Sequence, residues 1–283
     1  MGAREILMLC GSGFIHASWN ALCKKGADKQ AFLWLSVASA SALLAVPAMP
    51  RVFLVSRPVV GLAFVSGLLQ ALYFLLLGKA YGSGGLSTVY PIARGSAPVF
   101  AALFGWALLK EIPSAPGAVG IALVAGGILA AHLGSSKPRP GQSPAGPAVY
   151  AILTGAVTAA YSAVDRVGVS LEYPPVYLFL VFAFACGALA PYMLTSRRER
   201  VLSEWISNRA VVAAVGVLSS LAYLLVLFAL TSAKTAYVSA VREVSIVFAT
   251  LLGVFVFKEP SSPSRLLGPL MIICGVACIG SAR

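Results

Sequence analysis

Arg94 and Arg242 lie inside two long apolar stretches of the chain, 148 residues apart, and Glu243 adjoins the second of them. A guanidinium left in hydrocarbon costs roughly 2.5–3.5 kcal/mol on insertion scales, so an intramembrane arginine marks a site by default. Its planar fork of N–H donors fits a carboxylate or phosphate through two parallel hydrogen bonds. Two arginines against a single carboxylate leave a surplus positive charge that an anionic group on a substrate would neutralise. Glu243 has two readings that stay open: a bridge to Arg94 between helices, or a carboxylate that takes up and releases a coupling proton. The structural alternative for the arginines is that they cap broken helices or pair with backbone carbonyls.

Polar and aromatic residues recur at helical spacing in the same stretches. His16 and Asn20 share a face with Trp19 beside them, and Gln70 pairs with Tyr73. Ser87, Tyr90 and Arg94 share a face, as do Ser219 with Tyr223 and Ser239 with Arg242. Tyr161 joins them because Tyr161-Ser162-Ala163 matches Trp19-Asn20-Ala21 at an offset of 142 residues. The expected substrate-binding set is therefore Arg94, Arg242, Glu243, His16, Trp19, Asn20, Gln70, Tyr73, Tyr90, Tyr161, Tyr223 and Ser239. Any single Tyr or Trp serves equally well in packing or in an interfacial belt, and a lone His is more often a hydrogen-bonded core residue than a proton carrier. The joint pattern across several helices carries the expectation.

The same inventory argues against catalysis. The only Asp residues are Asp28 and Asp165, no Asp-rich metal motif is present, and neither His16 nor His132 lies near paired carboxylates in sequence. Cys274 and Cys278 share a helix face without a His or carboxylate near them, so neither a metal nor any other cofactor is expected. No Walker sequence occurs. An intramembrane enzyme acting on lipid phosphates is the weaker alternative.

These residues need elements to hold them. Of 283 residues 59% are hydrophobic and 11% charged, and the mean hydropathy is +0.89, which points to an integral membrane protein. Apolar stretches at 5–23, 31–50, 59–78, 86–108, 115–133, 147–166, 175–194, 210–230, 235–257 and 264–281 predict ten transmembrane helices, since lipid satisfies no exposed backbone group. The net charge of +12 comes from Lys and Arg scattered through the breaks, with no basic stripe for nucleic acid. Pro91 and Pro98 predict a bent or locally unwound fourth helix beside Arg94. Glu111 and Glu259 read as acids capping the helices that follow them.

A Pro/Gly/Ser tract separates residues 1–134 from 147–283, making 135–146 a linker. Arg94–Glu111 aligned on Arg242–Glu259 is identical at eight of eighteen positions, among them Arg94/Arg242, Lys110/Lys258 and Glu111/Glu259. Apolar bias does not supply matched Arg, Lys and Glu. Five helices per half is an odd number, so the second half starts on the opposite side of the membrane and the repeats are inverted. Ala101-x-x-x-Gly105 and Ala249-x-x-x-Gly253 sit at matched positions and predict close packing of the fourth and ninth helices, or contact across a homodimer.

The run Tyr90-Pro91-Ile92-Ala93-Arg94-Gly95-Ser96-Ala97-Pro98-Val99-Phe100, with Gly105 and Lys110-Glu111 after it, resembles the first EamA domain of the drug/metabolite transporter superfamily. Val238-Ser239-Ala240-Val241-Arg242-Glu243-Val244-Ser245, with Lys258-Glu259, resembles the second. The resemblance implies an all-α, ten-helix carrier in the cell (inner) membrane, with a central cavity and alternating access without ATP. Its partners would be a small-molecule substrate, a coupling proton or ion, and lipid. The surplus charge favours an anionic or zwitterionic substrate, and the alternative is a carrier of cationic amines or drugs. The distribution of Lys and Arg favours external termini, whereas the resemblance implies cytoplasmic ones.

Overall fold

The computed structural model describes residues 1–83, 86–132, 145–251, 255 and 263–282, and every long element in them is an α-helix. In chain order these are α1 (Ala3–Leu22), α2 (Lys29–Val52), α3 (Arg57–Ser83), α4 (Leu86–Leu109), α5 (Ala115–His132) and α6 (Ala145–Leu171). They are followed by α7 (Pro174–Thr195), α8 (Arg198–Leu230), α9 (Thr235–Arg242), α10 (Val244–Leu251) and α11 (Pro263–Ser281). Most of the expected linker lies outside the described residues, as do Gly253, Lys258 and Glu259 and the side chains of Ser87, Tyr90, Pro91 and His132.

Among the described residues six helices, α2, α3, α4, α6, α7 and α8, contain segments long and apolar enough to cross a membrane, and α5 and α11 hold shorter apolar segments. The distribution of side chains is the reverse of a water-soluble protein's. Val46, Phe53, Leu54, Leu7 and Ile206 are among the most exposed large residues, whereas Ser66, Thr154, Asp165 and Glu243 are buried. Apolar side chains outside and hydroxyls and carboxylates inside suit a helical bundle in lipid, where polar groups must find partners within the protein. In α6 the hydroxyls of Thr154, Thr158 and Ser162 donate one turn back, to the carbonyls of Tyr150, Thr154 and Thr158.

The closest crossing joins α5 to α11. A Cβ added at Gly120 would stand 2.6 Å from the Gly275 carbonyl oxygen, and one at Gly127 2.7 Å from that of Gly268. Position 120 thus faces 275 while 127 faces 268, so the two helices run antiparallel with glycine at both meeting points. Among the described residues the expected small-residue positions of the fourth and ninth helices do not meet: Gly105 faces the side chain of Glu111 in the turn after its own helix and Ala249 is exposed, while Gly253 lies outside the described residues.

The interrupted helix is also not the expected one. α4 runs without a break through Pro91 and Pro98, so it is not unwound beside Arg94. Proline removes one in-helix donor, and a single lost hydrogen bond can be absorbed by a packed helix. The ninth stretch, which has no proline at this point, divides at Glu243. There the chain tightens into i→i+3 bonds, Glu243 N–H to Ala240 O at 3.1 Å and Ile246 N–H to Glu243 O at 2.9 Å. α1 crosses this junction closely, since a Cβ on Gly13 would stand 2.6 Å from the Val244 side chain and 3.1 Å from the Ser245 nitrogen. The chain ends meet, with the amino group of Met1 donating to the Ala282 carbonyl at 2.8 Å.

Candidate functional site

The division at Glu243 sets the first cluster. Glu243 is 3% exposed, and its Oε2 lies 3.1 Å from Nε of Arg94 on α4, a buried ion pair between the two halves of the chain. Of the readings open for Glu243, the bridge is the one formed. Nη2 of Arg94 also donates to Ser245 Oγ at 3.1 Å and lies 3.5 Å from His16 Nε2 on α1. The His16 ring meets Trp19 edge-on with centroids 4.7 Å apart. Two helices, α1 and α4, and the junction of α9 with α10 thus converge on one guanidinium.

Arg242, one residue before Glu243, turns to a different partner. Its guanidinium lies over the Tyr223 ring of α8, 5.5 Å from the centroid. The Tyr223 hydroxyl donates to Asp165 of α6. Asp165 is fully buried and also accepts from Ser66 Oγ at 2.5 Å and Tyr177 Oη at 2.9 Å. Three hydroxyl donors, from α3, α7 and α8, satisfy this carboxylate, with no cation in direct contact among the described residues. Among the described residues no carboxylate lies within 4.0 Å of the Arg242 guanidinium. Its charge still acts on His16, Asp165 and Glu243, which places all four in one electrostatic neighbourhood.

Aromatic rings continue the line away from Arg242. Tyr161 stands edge-on to both Tyr223 and Tyr73, with centroids 6.3 Å apart in each pair, and Phe182 stacks on Tyr223 at 6.3 Å. Gln70 is buried one turn beyond Ser66, and its Nε2 has no hydrogen-bond partner. The Trp19 Nε1 is likewise buried without one. Ser239 is buried one turn before Arg242. Asn20 is exposed, and its amide donates to the carbonyl of His16 in its own helix at 2.9 Å. Tyr90 falls among the residues whose side chains are not described.

Sequence reasoning missed Asp165, Ser66, Tyr177 and Ser245. It ended the sixth apolar stretch at residue 166 and counted Glu243 as the one acid well inside a span, whereas α6 continues to Leu171 and carries Asp165 within it. The apolar Val167, Val169 and Leu171 beyond the acid were the signal. The charge count changes with it: Arg94 and Arg242 now face Glu243 and Asp165, and the surplus of one cation is gone.

Two further polar clusters tie the halves together at opposite ends of the helices. Lys110 takes a left-handed backbone, φ 58°, which turns the chain so that the Glu111 N–H donates to Gly105 O at 2.9 Å. Glu111 does not cap the next helix, α5. Its Oε2 accepts the Thr235 N–H at 2.6 Å, at the start of α9, and its Oε1 lies 3.3 Å from Arg166 Nε. A carboxylate at a helix N-terminus meets the positive end of the helix dipole. Tyr237 Oη accepts the Ser114 N–H at 2.9 Å, and Lys234 Nζ donates to the Ile112 carbonyl at 2.7 Å. At the other end, Asp28 Oδ2 accepts from Arg197 at 2.8 Å and Arg200 at 2.9 Å, while its N–H donates to Glu204 at 2.6 Å. Burial would push the Asp28 carboxyl up, but the Ala31 N–H together with Arg200 and Arg197 outweighs it and holds the group below its usual value.

Comparison with known proteins agrees with this architecture. The EamA-like transporter family matches the chain twice, over residues 3–132 and 146–281. The "Uncharacterized transporter YwfM" of Bacillus subtilis (strain 168) is 26% identical over 222 residues, covering 78% of this chain and 73% of that protein. A solved structure described only as "Crystal structure of protein" superposes with a TM-score of 0.76 at 16% identity, over 98% of this chain and 96% of the other, which shows a shared fold.

Proposed function

The chain belongs to the EamA-like transporter family, and on that premise we propose that it carries a small anionic or zwitterionic metabolite across a membrane by alternating access. The substrate bears a carboxylate, phosphate or phosphonate, and amino acids fall within this class. The observation that carries the reading is the state of Arg242: a buried-site guanidinium held by a tyrosine ring, with no carboxylate within 4.0 Å among the described residues. Its counterpart Arg94 is already ion-paired. A ring accepts the charge but leaves the N–H fork available to an anion, which binds it through two parallel bonds. The buried Trp19 Nε1 and Gln70 Nε2 are donors too, so these two unmet side-chain bonds call for acceptors on the substrate.

In this reading the protein is a multi-pass carrier in the cell membrane. Ten spans form two inverted halves, residues 1–134 and 147–283, joined by the linker 135–146. The antiparallel crossing of α5 with α11 supports the inversion, because the fifth helices of inverted halves must run in opposite directions. The α9–α10 junction supports a midplane site, since broken helices expose backbone termini to substrate in carriers of this construction. The test is uptake into proteoliposomes from a panel of labelled carboxylates, phosphates, amino acids and amines. Transport confined to amines would reject the anion reading and leave the aromatic line Tyr73–Tyr161–Tyr223 as a cation path.

A further inference from the structure

We propose that Asp165 is the proton-binding residue of this carrier, taking up one proton when an anion without a compensating positive charge occupies Arg242. The inference rests on the anion reading above and adds the coupling. With Asp165 counted, the charges of this cluster among the described residues fall into two neutral sets: Arg94 with Glu243 in direct contact at 3.1 Å, and Arg242 with Asp165 joined through Tyr223. An anion arriving at Arg242 makes the site negative by one charge in a low-dielectric interior, where an uncompensated charge is expensive. A proton entering with it restores neutrality.

Two carboxylates and His16 compete for that proton, and their partners separate them: His16 lies 3.5 Å from the Arg94 guanidinium, beside which a second cation is disfavoured. Glu243 is held by a guanidinium, so protonating it would strand the Arg94 charge. Asp165 is held by three neutral hydroxyls, Ser66 from α3, Tyr177 from α7 and Tyr223 from α8. Hydroxyls donate or accept. When a proton from the aqueous phase binds an oxygen of Asp165, one hydroxyl turns from donor to acceptor and the network stays complete. The charged group that faces Asp165 is Arg242 of α9, the substrate anchor itself. Binding of the anion screens that cation, removing the influence that favours an ionised Asp165 at the moment the proton is needed. A zwitterion brings its own positive charge and requires no proton.

The experiment follows protons and binding together. The purified full chain, in weakly buffered detergent solution with a pH indicator, receives acetate, pyruvate or lactate as fully ionised monoanions and glycine as the zwitterion, with thermal stabilisation reporting occupancy. The expected result is uptake of about one proton per bound anion and none with glycine. Asp165→Asn should abolish the uptake and Asp165→Glu should retain it. Stabilisation by the anions without proton uptake in the parent protein overturns the coupling and leaves the anion reading standing. No stabilisation by any of the three anions overturns the anion reading and this inference with it. Equal uptake with glycine, or uptake that survives in Asp165→Asn, assigns the proton to another group and overturns the role of Asp165. If the Asn variant fails to fold, the comparison of anion with zwitterion in the parent protein still decides the coupling, and Asp165→Glu decides the residue: uptake unchanged in its pH dependence there would overturn the role of Asp165.

Discussion

The guanidinium of Arg242 lies 5.5 Å from the ring centroid of Tyr223, and the hydroxyl of that same ring is bonded to the buried Asp165. The tyrosine therefore stands between a cation and a carboxylate, touching one with its π-face and the other with its edge. Arg94, at the matched position of the first half, meets Glu243 directly. The two arginines are equivalent in sequence and unequal in structure, and the inequality leaves one of them for a ligand.

The Arg94–Glu243 pair should act as a structural unit. Removing one member leaves a buried charge uncompensated, so Arg94→Gln or Glu243→Gln alone should destabilise the protein by about 3–5 kcal/mol. The double variant should recover much of that loss. Thermal unfolding of the four proteins in detergent, read as a double-mutant cycle, checks it; additive losses would mean the pair contributes no coupling.

Glycine at the α5–α11 crossing should tolerate no side chain, whereas Gly105 should. Gly120→Leu or Gly275→Leu forces two backbones apart, because each Cβ would stand 2.6 Å from the opposing carbonyl. Gly105→Leu meets the carboxylate end of the Glu111 side chain first, at 3.3 Å, and no opposing backbone. Overpacking costs of about 1–3 kcal/mol or more are expected for the first two and less for the third. Yield and melting temperature of the folded protein decide between them.

The cap supplied by Glu111 makes a further contrast. Glu111→Gln keeps an acceptor for the Thr235 N–H but loses the charge at the α9 N-terminus and the contact with Arg166. Glu111→Ala loses all three. Melting should fall by an amount equivalent to about 1 kcal/mol for Ala and less for Gln, the scale of a helix cap and a dipole contact.

Asp28 gives a pH dependence on the acid side. Its carboxyl is held below the usual value in the folded protein, so the folded state binds the proton less readily than the unfolded chain. The stabilisation is present above the unfolded value, about 4, and is lost as pH falls through the lowered folded value. Asp28→Asn should flatten the decline of melting temperature below about pH 4 that this group contributes. An unchanged acid-side slope would show that the Arg197 and Arg200 contacts carry no net stability.

Much of this fold is legible in composition, because apolar runs of helix length have few alternatives in a membrane. The matched Arg, Lys and Glu of the two halves disclosed the family and both arginines of the site. Sequence did not show which of two similar helices would break. Proline marked α4, yet the interruption falls at Glu243, where Gly13 lets α1 press on the Val244–Ser245 backbone. Nor did it show Asp165 as an interior residue, since an acid near the edge of an apolar run looks like a helix end until the three hydroxyls that bury it are brought from α3, α7 and α8. Both misses concern tertiary partners far apart in the chain.

If Arg242 anchors an anion, replacing that residue alone should separate the binding of anions from that of neutral compounds. Thermal stabilisation by the panel of carboxylates, phosphates, amino acids and amines should be compared for the parent protein, Arg242→Gln and Arg242→Lys. A ligand at a hundred times its Kd contributes about 2.7 kcal/mol, so loss of binding is measurable as a lost shift. Anions should stabilise the parent, Gln should abolish their effect while sparing neutral compounds, and Lys should restore it only in part, because an ammonium cannot offer two parallel bonds. Stabilisation of the parent chiefly by amines, retained in Arg242→Gln, would contradict an anion anchor at Arg242.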